Sequence, residues 1–288
     1  MKRAKVTVPT LMAARAKGQP ISVVTAYDAT MASLLDEAEV DIIMVGDSLG
    51  MVVQGRKNTL AVTLDEMVYH LAAVSRTEPS AHIVGDLPFL SYQISPEQAL
   101  ESAGRLVREG GAESVKLEGG RVVAEAVSRI VRAGIPVMGH IGLTPQSVHA
   151  LGGFRVQGRT ADAARELILD AQALEAAGAF SIVVEGVPSE VGQRITEAVQ
   201  IPTIGIGAGP HMSGQVLVCY DLLGMYRAHR PKFVKAYAEL GDAIVGSVRN
   251  YIAEVRSGDF PGSEHGFSML AGERVEATGG GYGPGDES

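Results

Sequence analysis

Tryptophan is missing from this 288-residue chain, cysteine occurs once, and aromatic residues make up 5% of it. The lone Cys219 has no internal disulfide partner, which excludes a disulfide-framed secreted module. No apolar run approaches the roughly 20 residues that a bilayer-crossing helix needs. The N-terminal stretch MKRAKVTVPTLMAARAKG also lacks the apolar segment of a secretory signal. Basic residues are outnumbered 25 to 33 by acidic ones and are scattered, whereas phosphate recognition needs a concentrated Lys/Arg footprint. The expectation is a soluble, cytoplasmic protein with neither membrane nor nucleic acid as a partner. Few bulky aromatics beside 35 glycines suit many tight strand-to-helix turns better than a sandwich plugged by large rings.

Eight short apolar runs, at 21–26, 41–46, 82–85, 114–117, 136–139, 181–184, 202–206 and 215–219, read as strands. Helix-compatible stretches separate most of them: MASLLDEAE, LDEMVYHLAAVSRT, SPEQALESAGRLVREGG, RVVAEAVSRIVRAG and ADAARELILDAQALEAAG. Ser95, Pro96 and Gln98 mark a helix start, and Gly110, Gly134 and Gly178 mark helix ends. Regular alternation of this kind predicts an α/β fold, a single (β/α)8 TIM barrel spanning residues 1–270, with a disordered tail over 271–288. Two segments lack helical period: SLGMVVQGRKNTLAVT after Asp47 and IGLTPQSVHALGGFRVQGRT after His140. Both are expected to be loops or hairpins over the barrel mouth. The stretch YRAHRPKFVKAYAELGDAIVGSVRNYIAEVRSG has helical spacing and is expected to pack outside the barrel or on another subunit.

Four acidic residues each close one of the apolar runs: Asp47 after DIIMVG, Asp86 after HIVG, Glu118 after SVKL and Glu185 after SIVV. Strand ends of a parallel barrel gather on one face, so these carboxylates converge in a pocket suited to a hard cation such as Mg²⁺. Lys116 alternates with Glu118 and therefore points to the same side, into the barrel, where it needs an anion. A buried ion pair with Glu118 or an Asp is the bland account of that lysine. Asp28 and Asp221 read as cap or turn residues. The six histidines other than His140 carry no site argument, and the Met, Tyr and Phe positions read as core. Gly205, Gly207 and Gly209 of IGIGAG match neither a dinucleotide fingerprint nor a P-loop, and in a barrel would let backbone approach a ligand at the mouth.

In order along residues 8–268, VGDSLG, VQG, DLPF, VKLEGG, GHIGLTPQ, VQGR, VEGVP and IGIGAG resemble the ketopantoate hydroxymethyltransferase family. The resemblance implies transfer of a one-carbon unit from 5,10-methylenetetrahydrofolate to 3-methyl-2-oxobutanoate, giving 2-dehydropantoate through a metal-stabilised enolate, in pantothenate biosynthesis. It implies a (β/α)8 barrel, Mg²⁺ and a homo-oligomer, a decamer. Carried over by position, Asp47 and Asp86 are metal ligands and Glu118 the third, more peripheral one. Asp47, Ser48, Asp86, Lys116 and His140 contact the keto acid, and Glu185 is the proton acceptor. Gly186 and Ser213 depart from the family pattern, which commonly has Cys and Asp there. The alternative is a Mg²⁺-dependent oxo-acid lyase or aldolase of the phosphoenolpyruvate mutase type, though the KKCGH-like loop of such lyases is absent.

Overall fold

A computed structural model describes residues 3–228 and 230–274. Eight parallel strands close into a barrel in sequence order, each paired with its neighbour and the last with the first. They are β1 (Ile21–Thr25), β2 (Ile42–Val45), β3 (His82–Asp86), β4 (Ser114–Glu118), β5 (Val137–Gly142), β6 (Ser181–Glu185), β7 (Thr203–Ile206) and β8 (Gly214–Leu217). Each coincides with a run read from the sequence, and the α/β barrel expectation holds.

Pleating sorts the side chains. Ile43, Val45, Ile83, Val115, Leu117, Ile182 and Val184 pack outward with the helices, while Ile21, Val23, Ile42, Met44, Val84, Met138, Val183, Ile204 and Val216 form a separate inner cluster. Where the same inward positions reach the strand ends, they become Asp86, Lys116, Glu118, His140 and Glu185. Register aligns them: Asp86 lies opposite Lys116, and Glu118 opposite His140.

The outer layer contains α2 (Ala29–Glu37), α4 (Leu64–Ser75), α5 (Pro96–Arg108), α6 (Ala124–Arg132), α7 (Ala161–Ala176) and α8 (Ser189–Ala198), besides α1 (Val8–Ala16) and the single turns α3 (Leu49–Val52) and α9 (Cys219–Leu222). The Ser95 side chain accepts the Gln98 amide with Pro96 in the first turn, as expected, and Asp28 caps α2 by accepting from Met31. Thr63 and Glu66 form a reciprocal box at the start of α4. After α5 the left-handed residue is Gly111 rather than Gly110, whose own added Cβ would meet the Leu106 carbonyl at 2.7 Å.

Helix α1 was not legible as an element, yet its Leu11, with Val6, joins the inner cluster. Lys5 reaches the carbonyls of Pro79 and Ala81 and pairs with Glu113. The N-terminal segment thus covers the end of the barrel away from the strand C-termini.

The chain divides into two compact units, Met1–Glu239 and Leu240–Ser288, and the barrel lies wholly in the first. Helical spacing suggested a helix from Tyr226 onward, but the described residues of 226–239 are irregular and only α10 (Leu240–Ser257) is helical. Pro231 explains this, since it supplies no N–H and clashes with the preceding turn. Arg230 closes the irregular stretch with two bonds to Glu239 at 3.0 and 2.9 Å. In the second unit α10 has no buried residue, and Ile244, Val248, Tyr251, Ile252 and Val255 are exposed. The tail expected over 271–288 lies, from Val275 onward, outside the described residues.

Candidate active site

The strand C-termini surround a cavity of about 1080 Å³, lined at its base by Asp47, Ser48, Asp86, Lys116, Glu118, His140 and Glu185. All seven positions singled out in the sequence therefore meet. Asp47, Asp86, Lys116, Glu118 and His140 are each at most 6% exposed, while Glu185 keeps 16% of its side chain open.

Lys116 Nζ stands 3.0 Å from Asp86 Oδ2, and the same oxygen accepts the Asp47 backbone N–H at 3.2 Å. Asp86 Oδ1 is buried without any hydrogen-bond partner. The bland reading of Lys116 was a core ion pair. The structure contains that pair, but on the cavity wall and with one acceptor oxygen left over. Burial would depress the lysine, but Asp86, Glu118 and Asp47 together hold its pKa above the ordinary value.

Asp47 is not on a strand. The turn after β2 carries it, and burial, with Glu118 and Asp86 adding repulsion, lifts its pKa to about 7. Burial raises Asp86 as well, against the pull of Lys116. His140 Nδ1 lies 3.4 Å from Glu118 Oε1 and Nε2 lies 3.2 Å from Glu185 Oε2, the latter without hydrogen-bond alignment. Burial and Lys116 oppose its protonation, yet the two glutamates prevail and lift it to about 9. An imidazolium at this position joins the third acid to the fourth. The Ser48 hydroxyl is 2.8 Å from the hydroxyl of buried Tyr27.

Three residues in this network had no assigned role in the sequence. Tyr27 orients Ser48. Gln146 donates from its side chain to Asp47 Oδ2 at 2.9 Å and from its backbone to Glu118 Oε2 at 3.0 Å. Tyr92 bonds both Gln146 and the Glu118 backbone. Gln146 belongs to the quoted GHIGLTPQ motif, but nothing in a loop sequence says which way an amide points. Both loop segments do line the cavity, through Met51 and Val52 in one and Pro145 and Phe154 in the other. Neither is a hairpin: the first opens with the turn of α3, and the second holds a short 3-10 turn at Pro145–Ser147. Phe154 and Phe233 are 52% and 38% exposed at the mouth, so reading every Phe as core was wrong.

The glycines of IGIGAG make room for neighbouring side chains, and Gly207 and Gly209 also line the cavity. A Cβ on Gly207, at φ +63°, would come within 2.8 Å of the Phe233 ring, and one on Gly209 within 2.1 Å of Ser189 Oγ.

Among the described residues, no three His, Cys, Asp or Glu side chains stand close enough to hold a metal ion by themselves. A divalent cation with retained water needs less, often one or two carboxylates. Here the donors are hard oxygens, and one of them, Asp86 Oδ1, is buried and unmatched. Among the lining residues Asp47, Asp86, Glu118, Glu185 and Asp221 outnumber the basic Lys116, His140 and Lys232, a surplus of acidic oxygen donors that suits such an ion.

A sequence profile of the ketopantoate hydroxymethyltransferase family matches residues 5–263. The chain is 52% identical over 269 residues to the 3-methyl-2-oxobutanoate hydroxymethyltransferase of Clostridioides difficile, covering 93% of this chain and 98% of that one. It is 55% identical over 265 residues to the enzyme of the same name from Moorella thermoacetica, covering 92% and 98%. Among solved structures, 2,3-dimethylmalate lyase, a member of the PEP mutase/isocitrate lyase superfamily, superposes with a TM-score of 0.58 at 17% identity, over 87% of this chain and 88% of that one. That likeness is one of fold.

Proposed function

The chain belongs to the ketopantoate hydroxymethyltransferase family and is an enzyme of that transferase class, and from that premise we propose that it converts 3-methyl-2-oxobutanoate into 2-dehydropantoate, the product required for pantothenate synthesis, with 5,10-methylenetetrahydrofolate as one-carbon donor. The observation that carries this reading is a buried charged base open to one partly exposed carboxylate, Glu185, under a wide apolar mouth.

Asp47 and Asp86 are the ligands for Mg²⁺, with Glu118 as the peripheral third, its two oxygens already engaged by His140 and Gln146. When bound, the ion supplies Lewis-acid polarisation of the keto oxygen and a template for the keto acid. Lys116 offers its ammonium to the keto acid from the rim of Asp86. Ser48, held by Tyr27, supplies a hydroxyl for orientation. Glu185 takes the C3 proton, with His140 Nε2 3.2 Å from its Oε2. The carbanion equivalent at C3 bonds to the methylene carbon of the donor as one methylene–nitrogen bond breaks. The second methylene–nitrogen bond then breaks as water supplies the hydroxyl, and tetrahydrofolate leaves with both nitrogens protonated, one proton coming from C3 by way of Glu185 and one from that water. Leu143, Phe154, Val156, Val187 and Phe233 at the mouth provide the apolar wall against which a pterin ring stacks. A keto acid of eight non-hydrogen atoms would fill only a small part of the cavity, which leaves room for that donor.

Exchange of the C3 proton of 3-methyl-2-oxobutanoate into deuterated water, followed by NMR, tests the reading. Exchange is expected with Mg²⁺, absent with EDTA, and at least 10²-fold slower in Glu185→Gln, the usual scale for losing a general base. Undiminished exchange in that variant removes the base assignment. Ketopantoate formation that proceeds without tetrahydrofolate would favour the oxo-acid lyase or aldolase alternative. A homo-oligomer, a decamer, is part of the same proposal. The exposed apolar residues of α10 are consistent with subunit association.

A further inference from the structure

Gln146 is buried at 6% exposure, and its side-chain amide and backbone N–H all have partners. Its Oε1 accepts from Tyr92 Oη at 2.7 Å and from Gln93 Nε2 at 3.1 Å; its Nε2 donates to Asp47 Oδ2 at 2.9 Å and to the Leu87 carbonyl at 3.0 Å. The backbone N–H donates to Glu118 Oε2 at 3.0 Å. These partners leave one orientation of the amide. A flipped amide would set its oxygen against a carboxylate and a carbonyl, and its NH₂ against another NH₂. Tyr92 reinforces the choice. Its hydroxyl accepts the Glu118 N–H at 3.1 Å, and its single proton has a nearer acceptor in Gln146 Oε1 than in the Glu118 carbonyl at 3.1 Å. Hydrogen bonds therefore run in one direction, from Glu118 through Tyr92 and Gln146 to Asp47.

We propose that Gln146, oriented by Tyr92, is a positioning residue for the divalent cation: it fixes the rotation of the Asp47 carboxylate by holding Oδ2, so that Oδ1 is presented to the cavity, while its backbone holds Glu118 in register with Asp47. This rests on the cation reading above and adds a residue to it. Asp47 comes from a turn rather than a strand, so no ladder sets its side chain, and the loop after β5 performs that task from across the barrel end. Groups that orient metal ligands typically matter 10–100-fold in affinity.

The test uses the full chain, stripped with EDTA and titrated with MgCl₂ alone by calorimetry, and with Mn²⁺ by electron paramagnetic resonance. Gln146→Met keeps the side-chain length and the backbone bond to Glu118 but removes all four contacts of the side-chain amide, those to Tyr92, Gln93, Asp47 and Leu87. It is expected to weaken Mg²⁺ binding 10–100-fold, and Tyr92→Phe is expected to weaken it less and in the same direction. The Mg²⁺ concentration for half-maximal C3 exchange should rise while the rate at saturating Mg²⁺ changes little. A folded Gln146→Met protein with the parent's Mg²⁺ affinity overturns the inference and leaves the cation reading standing. If that variant does not fold, unchanged affinity in Tyr92→Phe overturns it equally. Failure of the parent protein to bind either ion removes the cation reading and this inference with it.

Discussion

His82 sits at the start of β3, 3% exposed, far from the strand ends that carry the site. Its Nε2 is 2.9 Å from Ser114 Oγ, its ring meets Phe180 edge-on at 5.9 Å, and Nδ1 faces Glu113 Oε2 at 3.4 Å, with Lys5 on that same carboxylate. Burial outweighs the pull of Glu113 and lowers its pKa to about 4 from 6.5. A depressed folded-state value means that the unfolded chain binds the proton more tightly. The stability at issue is thus present above pH 6.5 and is lost as pH falls toward 4. At pH 5 linkage gives a loss of about 2 kcal/mol relative to pH 8, approaching roughly 3 kcal/mol below pH 4. For a chain of this size 2 kcal/mol lowers the melting temperature by roughly 4–8 °C. The perturbation is His82→Gln, which keeps a hydrogen-bonding group near Ser114 but cannot take up a proton. Urea unfolding at pH 5, 6 and 8 should show the parent losing about 2 kcal/mol more than the variant across that range, even though the variant starts lower at pH 8 through lost packing on Phe180. Equal pH slopes for the two proteins would refute the assignment of a buried neutral imidazole to this end of the barrel.

Lys116→Met should be among the most damaging single changes. It leaves Asp86 buried without its counter-charge, a loss of about 3–5 kcal/mol, measured by urea midpoint, and it should raise the KM for the keto acid in any remaining exchange activity. Phe154→Ala should raise the KM for the folate donor about 2–12-fold, from roughly 0.5–1.5 kcal/mol of lost ring contact, while keto-acid C3 exchange without donor stays at the parent rate. An equal effect on both would remove Phe154 from the donor surface.

Much of the site was legible for one physical reason. In a parallel barrel the strand C-termini share a face, and two-residue alternation sends every second side chain inward. Knowing that Asp86, Glu118 and Glu185 each ended an apolar run was therefore enough to bring them together, and Lys116 followed from its spacing to Glu118. Ordered motifs then named the family, which profile and relatives bear out. Other features failed where the determining contacts are distant in sequence. Helix α1 has weak amphipathic character, and only its docking against the inner cluster shows that Leu11 belongs to the barrel interior. The 226–239 stretch carried helical spacing that Pro231 overrides. In IGIGAG, where Gly207 and Gly209 line the cavity, only the fold shows that Phe233 and Ser189 crowd the same glycines from other parts of the first unit.

The chain alone determined strand count, strand positions and which residue types stand at the strand ends, because those follow from local hydrophobic periodicity. Tertiary structure decided the charges and their aim. Asp47 is lifted toward neutrality only because folding buries it beside Glu118 and Asp86, and His140 becomes a cation only because it lands between two glutamates. Gln146 bridges Asp47 and Glu118 across 99 and 28 residues of sequence. Proton affinities and hydrogen-bond directions depend on burial and on neighbours brought from elsewhere in the chain, and no local pattern encodes either.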